Sequence, residues 1–168
     1  MKNLIVYSLL VVSVLVFSCA EKDNRDAKPY KFPIATLDSL VEEEEAIMNQ
    51  TLNAEGKPQI KRYFLADTAS YTLEFNKFNE LETVCKYNGK GLMLWQENFY
   101  PSGQRMAHYS KNGDNRTGLA YADGFYEVYY DQGEIKERGM YKNDQLLWML
   151  PFTRDRVAGD TIFYQLVE

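Results

Sequence analysis

A single histidine, His108, and two cysteines, Cys19 and Cys85, are the whole stock of imidazole and thiol in this 168-residue chain. A zinc site takes four ligands, or three and a water, drawn from His, Cys and carboxylates at fixed spacing. One His and one or two Cys do not assemble that pattern. His108 lies in Met106-Ala107-His108-Tyr109, a strand-like run in which packing or surface placement outweighs catalysis. Acids are plentiful: Asp131, Glu134, Glu137 and Asp144 stand beside turns, where they do acid–base work only if the fold brings two of them together. The run Glu42-Glu43-Glu44-Glu45 suggests a cation site, but consecutive helical residues fan out around the axis, so it reads as a solvated acidic face. Gly89-Lys90-Gly91 reads as turn residues, not as a phosphate cradle. The sequence therefore nominates no catalytic residue, no metal ligand and no cofactor, and a non-enzymatic role is expected.

Cys19 has a different chemistry. Lys2 is followed by an apolar stretch from Leu4 to Phe17, and Val16-Phe17-Ser18-Cys19 ends it with a small residue directly before the cysteine. That is the layout of a cleavable export signal over residues 1–18. The stretch is shorter than the roughly 20 residues that span a hydrocarbon core. Its ending resembles a bacterial lipobox, which implies that Cys19 is acylated, palmitate included, and becomes the first residue of a lipoprotein on the outer membrane, facing the periplasm or the surface. At ~0.8 kcal/mol per buried CH₂, two or more chains anchor a protein stably. The membrane, reached through this lipid, is the first expected partner.

Without residues 1–18, 150 residues remain, enough for one domain with a substantial core. Lys2 aside, 18 basic residues face 24 acidic ones. Nucleic-acid binding rests on neutralised phosphates, so an acidic chain without a basic run excludes that class. With Cys19 acylated, Cys85 has no partner for an internal disulfide, and its alternating surroundings, Leu81 to Tyr87, predict a buried structural thiol.

The elements that carry these residues are mostly strands. Residues 20–33 are charged, contain Pro29 and Pro33, and read as a flexible tether of up to about 45 Å. Thr36 to Leu52 has apolar residues at helical spacing, with Thr36 or Asp38 as cap. Beyond it, strands are predicted at 60–65, 71–75, 81–87, 92–100, 105–110, 119–122, 126–130, 135–141, 145–150 and 161–167. Turn signals separate them, among them Asn88-Gly89, Pro101-Ser102-Gly103, Asn112-Gly113-Asp114, Asp123-Gly124 and Asn143-Asp144. Hairpin after hairpin predicts an antiparallel meander. Three Asp-Ser/Thr-apolar triplets, at Ser39, Thr68 and Thr161, match a short O-glycosylation pattern.

The second half repeats itself. Trp95-(x3)-Phe99-Tyr100-Pro101-Ser102-Gly103-Gln104 recurs as Phe125-(x3)-Tyr129-Tyr130-Asp131-Gln132-Gly133-Glu134. Each copy leads into a Tyr-containing turn, Tyr109 to Gly113 and Tyr141 to Asp144, and Tyr87-Asn88-Gly89 is a shorter copy. Over about 87–151 this resembles a bacterial variant of the MORN repeat, with an insertion at Thr117–Asp123, Asp144 in place of a glycine, and a break at Pro151. The resemblance implies β-hairpins joined edge to edge into a single-layer twisted sheet, here preceded by the helix within one domain over 34–168. A β-sandwich or lipocalin-like barrel is the alternative architecture. The expected function is a protein- or glycan-binding scaffold in the cell envelope, its surface formed by Trp95, Tyr100, Tyr109, Tyr126, Tyr130, Tyr141 and Trp148. The barrel alternative implies a carrier of a small apolar or glycan ligand.

Overall fold

The computed structural model describes residues 30–43, 45–66, 68–113 and 120–165. The expected signal segment, Cys19 and residues 20–29 of the expected tether lie outside them. One helix, α1 (Ile34–Glu42), precedes ten strands: β1 (Ile47–Leu52), β2 (Pro58–Leu65), β3 (Ala69–Phe75), β4 (Leu81–Asn88), β5 (Met93–Phe99), β6 (Arg105–Gly113), β7 (Ala120–Tyr129), β8 (Ile135–Lys142), β9 (Gln145–Pro151) and β10 (Ile162–Phe163). Every strand pairs antiparallel with its neighbours in sequence, so one sheet runs in order from β1 to β10. The expected meander is present. The barrel and the sandwich are not: β1 pairs only with β2 and β10 only with β9, so the single sheet stays open. No helix among the described residues is long and apolar enough to cross a membrane.

Five turns at one end of the sheet share a single geometry. In Asn53–Lys57, Asn76–Glu80, Tyr100–Gln104, Tyr130–Glu134 and Thr153–Val157, the first residue's N–H donates to the fifth residue's carbonyl. The fourth residue's N–H donates back to the first residue's carbonyl. The fourth residue has positive φ in each, from +63° at Arg156 to +97° at Gly133. This is a type I turn closed by a left-handed residue, a three-residue hairpin loop. Their first residues lie 23, 24, 30 and 23 positions apart, and the long spacing contains the Thr117–Asp123 insertion. The hairpin repeat therefore begins at Asn53, well before the residues in which the sequence shows it. Where the first residue is Asn, its side-chain oxygen accepts from the third and fifth N–H groups, as at Asn53 and Asn76. Tyr100 and Tyr130 send their hydroxyls instead to the next unit, onto the Tyr129 and Phe152 carbonyls at 2.9 and 3.1 Å.

Four expectations give way to the structure. The helix covers Ile34–Glu42, and Ile47, Met48 and Leu52 belong to β1. The acidic run falls at the negative end of the helix dipole, which disfavours its continuation. The Glu45 and Ala46 N–H groups turn back onto the Leu40 carbonyl, and the Asn53–Lys57 turn then pairs the following residues with β2. Pro33, not Thr36 or Asp38, takes the cap position. Residues 30–33 are not a free tether: Phe32 packs against Tyr71 and Phe99, and Tyr30 stacks on Arg105. Asp123-Gly124 is no turn but part of β7, where the positive φ of Gly124 accommodates a register shift opposite Ser110. A side chain at that glycine would press on the Ser110 Cβ at 3.0 Å.

The core lies under the helix. Leu37 of α1 packs with Tyr63, Leu73, Val84 and Phe99, and Phe32, Leu40, Met48 and Tyr71 close around them. Tyr63, Leu73 and Val84 are fully buried, each contributing roughly 2 kcal/mol. Asp38 anchors the helix to the sheet by accepting from the Tyr63 hydroxyl at 2.6 Å and pairing with Lys61 at 3.5 Å.

Candidate functional site

Nine helical residues at ~1.5 Å each reach across no more than about three strands spaced ~4.8 Å apart. Directly opposite residues of antiparallel strands share a face, so one row can be followed beyond the helix: Gln50, Lys61, Leu73, Val84, Glu97, His108, Glu127, Arg138, Leu150. Its buried apolar members, Leu73 and Val84, lie in the core beneath α1. From β5 onward the same face turns ionic.

Glu97 is 3% exposed. Its Oε1 accepts from Arg105 Nη1 at 2.8 Å and lies 3.2 Å from His108 Nδ1. Burial pushes this carboxyl up, but hydrogen bonding to His108 and Arg105 outweighs it, and Glu97 titrates below its ordinary value. The Arg105 guanidinium sits between the Tyr30 and Tyr129 rings, 4.4 and 4.6 Å from their centroids, a cation–π arrangement that suits a desolvated arginine. Its Nη2 donates to the Tyr129 hydroxyl at 2.7 Å, and that hydroxyl donates to Glu127 Oε2. Burial, then the charge of Glu97, pushes Tyr30 up to about 12. Burial and the bond to Glu127 hold Tyr129 high as well. Glu127 Oε1 lies 3.7 Å from Arg138 Nη2. His108 is half-buried, its ring 5.9 Å from that of Trp95. The expectation of a packing role for His108 fits this placement.

The network opens into a groove of ≈ 420 Å³ on the uncovered half of this face, lined by His108, Ser110, Phe125, Tyr126, Glu127, Arg138 and Trp148. Phe125 and Trp148 meet edge to face at 6.2 Å, and Phe125 is 58% exposed. Two aromatic rings thus stand beside an acid–base pair, a hydroxyl and an imidazole. Among the described residues, no group of three or more His, Cys, Asp or Glu is placed to hold a metal ion.

The seven aromatic candidates divide among three places. Trp95 and Trp148 lie on the helix face, but only Trp148 lines the groove. Tyr109, Tyr126 and Tyr141 form a ladder on the opposite face, the Tyr109 and Tyr126 rings stacked at 6.0 Å and the Tyr126 and Tyr141 rings tilted at 5.0 Å, and Tyr126 also borders the groove. Tyr126 is nearly buried and crosses Gly139, where any side chain would collide with its ring and with the Trp148 carbonyl. Tyr100 and Tyr130 tie neighbouring hairpins. Cys85 is buried and unpaired, and burial pushes its thiol up, as a structural cysteine requires. Of the acids beside turns, Asp144 accepts from the Ala122 N–H, and Asp131 pairs with Arg154 at the surface. Glu42, Glu43 and Glu45 are exposed. Of the triplet hydroxyls, Ser39 is bonded to the Ala35 carbonyl within α1, while Thr68 and Thr161 are exposed outside the strands. The residues that the sequence reading missed are Glu97, Arg105, Phe125, Glu127, Tyr129 and Arg138. Their signal was parity: Glu97 alternates with Trp95 and Phe99, a charge in an apolar register.

No family model and no curated protein matches this chain. Solved structures do. The GtfA/B complex aligns at 16% identity and TM-score 0.44, over 68% of this chain and 24% of that one. The pneumococcal O-GlcNAc transferase GtfA, in complex with UDP and GlcNAc, aligns at 12% identity and TM-score 0.47, over 75% and 22%. A mutant S. aureus TarM in complex with fondaparinux, alpha-GlcNAc-glycerol and UDP aligns at 9% identity and TM-score 0.25, over 80% and 25%. The chain spans about a quarter of the length of each, and likeness at this level carries no argument about activity.

Proposed function

We propose that this protein is a non-enzymatic binding module, held at the outer membrane by lipid on Cys19, whose uncovered sheet face takes a glycan of the cell envelope. The observation that carries this reading is the groove in which Phe125 and Trp148 stand beside the Glu127–Arg138 pair. A sugar ring presents apolar C–H faces to aromatic rings and hydroxyls at its rim, and Glu and Arg side by side supply both acceptor and donor for such hydroxyls. The groove lies on a sheet face, across β6 to β9, and not along the outer edge of a strand, which suits a saccharide better than an added strand. His108 Nδ1 is engaged by Glu97 and its ring lies tilted against that of Trp95, an arrangement that favours a positioned donor over a mobile base. The recurring turn geometry from Asn53 to Val157 supports kinship with MORN-like hairpin repeats.

The test is a glycan array probed with the full chain, followed by titration of each hit against wild type and Trp148→Ala. Removing a central aromatic contact of about 2 kcal/mol is expected to weaken binding roughly thirtyfold, with thermal stability nearly unchanged. Mass spectrometry of the recovered glycan should show it intact. An unchanged affinity for Trp148→Ala removes the groove from the reading, and turnover of the glycan removes its non-enzymatic part.

A further inference from the structure

We propose that β1 is the docking edge for a second copy of this chain, each β1 pairing antiparallel with its counterpart about a two-fold axis normal to the sheet. Among the described residues β1 hydrogen-bonds to β2 alone, so its outer edge of backbone donors and acceptors is open. Natural edge strands are protected by lysines, prolines, central bulges or extreme shortness. The six residues of β1, Ile-Met-Asn-Gln-Thr-Leu, include no charge and no proline, and the register shift comes only at Leu52. Five of the six are exposed, Ile47 at 68% and Leu52 at 50%.

The far edge is built differently, and that difference selects the occupant. There β10 is two residues long, and its successor Tyr164 donates to the Leu147 carbonyl. The chain folds back over the end of β9 through the Phe152–Ala158 bridge and the Gly159 N–H bond to Pro151. An open ladder of copies needs two long accepting edges, β1 on one copy and β10 on the next. With one such edge available, the pairing that closes is isologous, β1 against β1.

The pleat then restricts the register. A two-fold axis normal to the sheet keeps each face on its own side, so Asn49 faces its own counterpart, or Gln50 does, and intermediate registers put opposite faces together. In either register the facing residues of the two β1 strands are uncharged, and no like charges oppose one another. An edge of six residues buries less than a standard interface, so the dissociation constant is expected on the order of 10 µM.

Cysteine cross-linking of the full chain tests the pairing. Mild oxidation of Asn49→Cys or of Gln50→Cys is expected to give a disulfide-linked dimer, because directly opposed strand residues lie within disulfide reach at ~4.5–5.5 Å between Cα atoms. The wild type and Ser102→Cys, placed on an exposed turn, set the background. In detergent at about 100 µM, ten times that constant, sedimentation should show the wild-type chain mainly dimeric. The double variant Asn49→Lys/Gln50→Lys should be monomeric with an unchanged circular dichroism spectrum, since either register then sets two lysines directly opposite and they repel. A wild-type chain that stays monomeric at that concentration overturns the proposal, and an extended segment of another protein seated on β1 appears in this way. Cross-linking of Ser102→Cys as efficient as that at both β1 positions overturns it as well.

Discussion

The row that crosses the sheet on its helix face divides the molecule into two halves. Between β3 and β4 it is Leu73 and Val84, fully buried beneath α1; between β5 and β8 it is Glu97, His108, Glu127 and Arg138, with no layer above the outer members. In the uncovered half, buried Tyr129 joins the ionic network on the helix side, while Ala107, Ala122 and Tyr126 are buried on the opposite face, where the tyrosine ladder supplies its own cover. The covered half is an ordinary two-layer core. The uncovered half frees its helix-side face from packing, and a groove lined by rings and charges occupies it. The difference teaches that one short helix does two things here: it supplies a core where it lies, and by ending it leaves a site beside that core.

Two leucines of the same row give the strongest way to break this comparison. Leu73 is fully buried, and Leu73→Ala is expected to cost about 4 kcal/mol through lost transfer energy and the cavity left behind. Leu150 is only partly buried at the other end of the row, and Leu150→Ala is expected to cost about 1 kcal/mol. Urea midpoints of the two variants decide the matter. Equal losses would mean that the uncovered half is packed as tightly as the covered one.

Glu97 marks the boundary between the halves. Glu97→Gln removes the charge that Arg105 and His108 share, and leaving the arginine largely buried without its partner is expected to cost about 3 kcal/mol at neutral pH. The pH dependence follows from the direction of the shift. The carboxyl titrates below its ordinary value of 4.5 in the folded chain, so its contribution is complete above that value and is lost as pH falls through the depressed one. The stability gap between wild type and Glu97→Gln should therefore be widest near pH 6 to 7 and should narrow below about pH 4.5. A gap that stays constant from pH 7 to pH 3 would show that hydrogen-bond geometry, not charge, holds the boundary.

Turns with local chemistry were legible in the sequence. Pro101-Ser102-Gly103 closes a hairpin with Gly103 at the required positive φ, whereas at Asn88-Gly89 the hairpin is present but the positive φ falls on Gly91, and Asn88 instead accepts from the Lys90 and Leu92 N–H groups. Gly124 shows the limit of that reading: its positive φ serves a register shift within β7, and a glycine declares the dihedral without declaring what it is used for. Ile47, Met48 and Leu52 fit helical spacing, and only pairing across the Asn53–Lys57 turn makes them a strand. The groove was legible in part. Trp148 stood out as an aromatic in a repeat, but Glu127 and Arg138 acquire meaning only once β7 and β8 place them opposite each other and the helix is seen to stop short of them.

The smallest effect tests how successive hairpins are joined. Tyr100 and Tyr130 occupy equivalent turn positions, and each hydroxyl reaches one unit ahead to a backbone carbonyl at the end of a strand. Replacing either by Phe keeps the ring and deletes only the donor, so each is expected to cost about 1 kcal/mol. If the ties are local, the two losses add in the double variant, since Tyr100 binds to β7 and Tyr130 to the end of β9. Hydrogen exchange should then rise at the end of β7 in Tyr100→Phe and beside Phe152 in Tyr130→Phe, and leave the Leu73–Val84 core untouched. Exchange that rises in the covered half as well would mean that the two halves open together, and the division drawn from the row would be one of composition alone.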